Sequence, residues 1–93
     1  MHDHRGHVPT SRASRYLQQL CKHWSHRFAV EFDASAGSVD FGDGSSLDLV
    51  AKADRLVMVI HGPQEAIITL ERIVVEHVDR FAHREKLFYE WGI

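Results

Sequence analysis

Two periodicities divide the chain. From Ala13 to His26, apolar residues recur at helical spacing (Ala13, Tyr16, Leu17, Leu20, Cys21, Trp24), while Arg12, Arg15, Gln18, Gln19, Lys22 and His26 collect on the other side. This predicts an amphipathic helix with a greasy face and a basic ridge. Thr10 or Ser11 stands where a hydroxyl can accept an orphan backbone N–H at the helix start. At Phe28 the period drops to two, with Phe28, Val30 and Phe32 alternating with Ala29 and Glu31, the mark of a half-buried strand. A second strand follows from Ser38 to Phe41. Gly42-Asp43-Gly44 then supplies a tight turn, because glycine and aspartate tolerate the left-handed backbone it needs. Leu47 to Ala51 alternates as a third strand. Arg55 to His61 is the fourth, and its run Leu56 to Ile60 is apolar at every position, as in a central strand covered on both faces.

Pro63 and Glu65 mark the start of a second helix, proline losing no needed hydrogen bond there and glutamate meeting the positive helix end. It extends to about Arg84, with Ala66, Ile67, Leu70, Ile73, Val74, Val78 and Phe81 on its core face. Ile68, Val75 and Ala82 widen that face and must meet the first helix or another subunit. Leu87, Tyr89 and Trp91 alternate as a last short strand. Short links between strands dictate an antiparallel meander. The expected fold is therefore α+β, two layers in the order α-β-β-β-β-α-β, with both helices on one face of the sheet. Residues 1–9, polar and punctuated by Gly6 and Pro9, read as a flexible tail ahead of a single domain, 10–93.

Composition narrows the function. Ninety-three residues with 44% hydrophobic content suit one core. The net charge of −2 is unevenly placed, since Arg5, Arg12, Arg15, Lys22 and Arg27 face only Asp3 before residue 28. That is too little continuous basic surface for a nucleic-acid binder. It does make Arg15, Gln19, Lys22 and His26 a candidate interaction surface for an acidic partner or for a second copy in a homodimer. A single cysteine excludes an internal disulfide framework and leaves the cytoplasm as the expected compartment. No apolar run is long enough to span a membrane, and no secretory signal is apparent.

No catalytic set stands out. Cys21 falls on the core stripe, where a thiol acts as a small hydrophobe. Gly42-Asp43-Gly44 lacks the lysine and the helix of a phosphate loop. His23 and His26, three apart on one helix, can share a metal ion if a third ligand joins them from Cys21, His77, His83 or Glu85. The plainer reading is a pair of histidines at the negative end of a helix. His77 falls inside the core face of the second helix, either as a neutral imidazole bonded to the backbone or as a base or ligand facing a cavity. His2, His4 and His7 could hold a transition metal only loosely in an unfixed tail. No cofactor follows from these residues; iron or zinc is what a His23, His26 and His77 site would take.

The run Ala13-Ser14-Arg15-Tyr16-Leu17-Gln18-Gln19-Leu20-Cys21-Lys22-His23, with His26, Val30-Glu31-Phe32 and Val39-Asp40-Phe41-Gly42, resembles the bacterial family named domain of unknown function 2218. The likeness continues through Glu71-Arg72, Val74-Val75, His77, Arg80-Phe81-Ala82, Arg84-Glu85 and Trp91. Members usually carry an aromatic where His83 stands, so the resemblance implies no role for that residue. It implies no catalytic residue either. Some members are joined to, or lie beside, siderophore-interacting flavin reductases, which implies a non-enzymatic binding or accessory module in iron acquisition. The rivals are a small histidine-based metalloprotein or enzyme, and a structural dimerisation module.

Eight histidines at a pI of about 6.4 dominate titration near neutrality. Particle size measured by light scattering is expected to change between mildly acid and mildly alkaline buffer; an invariant size would contradict this.

Overall fold

A computed structural model describes residues 2–92. Along it run β1 (His2–Pro9), α1 (Ala13–Trp24), β2 (Ala29–Phe32), β3 (Ala36–Asp40), β4 (Ser46–Ala51), β5 (Arg55–Gly62), α2 (Gln64–Phe81) and β6 (Glu90–Trp91). The strands form one six-stranded sheet in the order β2-β3-β4-β5-β1-β6, antiparallel at every junction. The α+β class, the meander from β2 to β5 and the two helices agree with the pattern of the sequence.

The N-terminal residues do not. Where polar composition predicts a tail, residues 2–9 form an inner strand, paired with β5 from His2↔Gly62 to Pro9↔Arg55. Cross-strand and cross-layer partners replace the apolar residues that a buried strand would normally show. His4 bonds Glu71 at 2.8 Å and stacks on Trp91, with 5.1 Å between ring centroids and 6° between planes. His7 approaches Glu90 at 3.5 Å, and Val8 is fully buried. Alternation turns His7 away from His2 and His4, so the three cannot converge on a metal. The sequence-based boundaries at Met1 and Ile93 lie outside the described residues.

β1 is antiparallel to both β5 and β6, so β5 and β6 are parallel and α2 is the crossover between them. By the same count along the sheet, α1 joins parallel strands β1 and β2. The two crossovers leave strands of opposite direction and travel in opposite senses across the sheet. They therefore share one hand and lie on the same face.

Under the helices, Leu47, Leu49, Leu56, Met58 and Ile60 meet Leu17, Leu20, Cys21 and Trp24 of α1 and Ile67, Leu70, Val74 and Val78 of α2, all buried. Each large aliphatic side chain so buried contributes about 1.5–3 kcal/mol. Trp24 is wedged edge-on to Phe41, at 5.3 Å between centroids, and Phe41 in turn meets Phe28 at 4.9 Å. Of the expected flank on α2, Ala82 is buried and Val75 half-buried, but Ile68 stays 67% exposed.

Two helix ends differ from expectation. Thr10 caps nothing within α1: its hydroxyl accepts the N–H of Arg12 and donates to Glu85. The cap position falls to Arg12, whose side chain makes no capping bond. α1 stops at Trp24, whose carbonyl accepts from the N–H groups of Arg27 and Phe28, so His26 sits in the following turn. The final strand shrinks to Glu90–Trp91, the residues facing His7 and Gly6. A Cβ on Gly6 would lie 2.7 Å from Cδ2 of Trp91 and 2.8 Å from the carbonyl oxygen of Glu90, which explains glycine in mid-strand.

The other face of the sheet carries no helix. Near the C-terminal end of β5, His61 places Nδ1 2.6 Å from Asp3 and Nε2 2.9 Å from Asp48, tying β5 to both neighbours. Ionised carboxylates only accept, so both bonds are made together when the ring carries both protons, its charged form. The bond to Asp3, then that to Asp48, holds its pKa above the ordinary value in spite of partial burial.

Replacing Trp24, only 4% exposed, by alanine should cost about 3–5 kcal/mol in denaturant unfolding; a much smaller loss would mean the ring is not part of the core in solution. For His61 the raised folded-state value fixes the sign: its contribution is complete below the unfolded value of about 6.5 and disappears as pH rises through the folded one. Melting curves should therefore show wild type exceeding His61→Gln most at the acid side of that window, with the gap closing toward alkaline pH. A gap that stays constant would refute the assignment.

Candidate functional site

Two concave regions flank Arg15 on α1. The first is a cleft of about 220 Å³ between the start of α1 and the chain just beyond α2, lined by Arg12, Arg15, Tyr16, Phe81, His83 and Arg84. The second is a groove lined by Ser14, Arg15, Gln18, Gln19 and Lys22 of α1 together with Phe32 of β2.

The cleft owes its shape to Glu85. Its Oε2 accepts hydrogen bonds from the hydroxyls of Tyr16 and Thr10, the latter at 3.0 Å, and lies 3.4 Å from Nη1 of Arg12. Donation by Tyr16, followed by Thr10 and Arg12, holds the Glu85 carboxyl below its usual range against a desolvation that opposes it. The Tyr16 hydroxyl moves the other way, pushed up first by burial and then by the carboxylate beside it. This network pins the end of α2 to the start of α1 and leaves three arginines along one opening. α1 has no acidic residue in its first turn to neutralise them.

The groove follows from the helical ridge. Arg15, Gln18, Gln19 and Lys22 recur every three or four residues, and β2 forms the free edge of the sheet beside them. Phe32 is 41% exposed there. Oε1 of Gln19 is buried without a hydrogen-bond partner among the described residues, a cost that an incoming donor would relieve. Of the expected interaction residues, Arg15, Gln19 and Lys22 line the groove. His26 does not, because the helix ends before it.

The histidines proposed as metal ligands separate in the same way. His23 and His77 face each other across the helices, their ring centroids 5.3 Å apart, with Trp24 5.1 Å from His77. Nδ1 of His77 donates to the carbonyl of Ile73 at 2.8 Å, since that oxygen can only accept. The backbone-bonded reading of His77 thus holds, although the side chain is half-buried rather than sealed. His26, in the turn, makes none of these ring contacts. Among the described residues no three potential ligands converge. His61 with Asp3 and Asp48 is no exception, for the carboxylates meet opposite ring nitrogens. Cys21 is fully buried and its thiol is pushed up to about 11 by desolvation, which makes it a poor nucleophile at neutral pH.

The cleft was the part that sequence reasoning missed. Arg12 and Arg15 were legible as a ridge, but Arg84 and His83 are distant in sequence and join them only through Glu85. The available signal was the pairing of Tyr16 with Glu85, a tyrosine on a core stripe that needs a buried partner for its hydroxyl.

No curated protein matches the chain. A solved structure that does is the NMR structure of PA4090 from Pseudomonas aeruginosa, 36% identical, covering 99% of this chain and 96% of its own, with a TM-score of 0.83. No helix of the described residues is long and apolar enough to cross a membrane. Residues 5–92 match the family described as an uncharacterised protein conserved in bacteria, domain of unknown function 2218, and the chain belongs to that family.

Proposed function

We propose that the chain is a non-enzymatic accessory module that docks an acidic partner protein along the α1 ridge. The observation that carries this reading is the juxtaposition of Phe32, 41% exposed on the free edge strand, with the cations of the groove. An unpaired strand edge offers backbone groups to an incoming extended segment, an exposed aromatic supplies an anchor, and flanking Arg15 and Lys22 favour acidic side chains. By the family resemblance, the partner is a siderophore-interacting flavin reductase and the process is iron acquisition. The chain needs no catalytic group of its own in this role, and the cytoplasm is where such a reductase would meet it.

The rival reading as a zinc or iron protein rests on the pair His23 and His77, whose rings approach from two helices. Two imidazoles make a weak and unselective site unless a ligand comes from elsewhere.

Sedimentation of the chain with a purified siderophore-interacting reductase tests the docking. A complex is expected, and Lys22→Glu or Phe32→Ser should each weaken it by about tenfold or more, the usual effect of removing an interface anchor. Absence of a complex, or binding by both variants as tight as that of wild type, would sink the proposal. A dimer of the chain alone that Phe32→Ser dissociates would assign the surface to self-association instead.

A further inference from the structure

The cleft on the other side of Arg15 shares only that residue with the docking groove. We infer that it is a binding site for a small aromatic carboxylate. Its charge comes from arginines that the fold leaves uncompensated. Arg12 shares Glu85 at 3.4 Å, whereas Arg15 and Arg84 form no ion pair among the described residues. Glu85 is itself occupied by Tyr16 and Thr10 and is held ionised, so it engages one of the three guanidinium groups and leaves two. A guanidinium presents its donors as a planar fork that matches the two oxygens of a carboxylate.

The helix ends do not decide the sign. α1 begins at the cleft and α2 ends beside it. Their termini carry partial charges of about +0.5 and −0.5, which largely offset each other. The side chains therefore set the potential.

Volume and lining select the ligand. A cavity of about 150 Å³ accepts a benzene ring. The cleft, at about 220 Å³, has room for one ring and a carboxylate. The half-buried ring of Phe81 gives that ring an apolar wall, which a bare inorganic anion would leave unused.

The test is a titration of the ¹⁵N-labelled full chain with sodium benzoate, sodium acetate and inorganic phosphate, followed by amide NMR shifts. Benzoate should give saturable shifts confined to Arg12, Arg15, Tyr16, Phe81, His83, Arg84 and their neighbours. Acetate should bind at least about tenfold more weakly, because it buries no ring. Arg84→Glu should weaken benzoate by about tenfold or more through loss of a charged hydrogen bond. Lys22→Glu, which lies in the docking groove, should leave it unchanged. Arg84→Gln replaces the charge reversal if that variant melts early. Benzoate that never saturates, that shifts residues elsewhere, or that binds Arg84→Glu and wild type alike would overturn the site. So would phosphate binding more tightly than benzoate, which would make it an inorganic oxyanion site. Loss of reductase docking with benzoate binding intact would defeat the proposed function and leave this inference standing.

Discussion

The ladder between β1 and β5 is the constraint on which the other elements depend. β5 is the most apolar strand of the chain, and its buried residues Leu56, Met58 and Ile60 need the helices above them. Those helices can span the sheet only because each connects strands that are not neighbours. Without β1 beside β5, α1 would have no strand to leave and β6 no strand to join. A segment of mostly polar residues thereby sets the handedness and the common face of both crossovers.

How much of this was legible varied with the source of the signal. Regular elements whose stability comes from their own apolar periodicity, α1, β4, β5 and α2, could be read directly, and so could the residues they bury. β1 could not, because its fixing interactions are made with residues far along the chain: Asp3 with His61, His4 with Glu71 and Trp91, His7 with Glu90. In a single sequence such residues look like solvated histidines. The same reason hid the cleft, since Glu85 ties the chain carrying Arg84 to the start of α1 through Thr10, Arg12 and Tyr16. The polar ridge was visible because all its α1 residues share one helix, and His26 fell outside it only because α1 ends at Trp24.

Arg15 stands between two surfaces of different character. On one side a half-buried hydrogen-bond centre at Glu85 ties the chain after α2 to α1 and leaves charge to spare. On the other, an exposed aromatic and a free strand edge offer apolar contact and backbone groups. Both arise from one helix whose inner face is committed to the core. Its outer face can then vary in chemistry at little cost to the fold, since exposed substitutions rarely change stability by much.

The place of β1 also orders events in time. β1 precedes the other strands in the sequence, yet its partners run from Gly62, opposite His2, to Arg55, opposite Pro9. The meander from β2 to β5 closes through neighbouring residues and can form early, whereas β1 must wait until β5 exists. Non-local pairing of this kind slows folding because loop entropy is lost before the contact is gained. Until β1 pairs, the edge of β5 is an exposed strand edge of the aggregation-prone kind; the polar, histidine-rich strand covers it and then offers its own outer edge to β6.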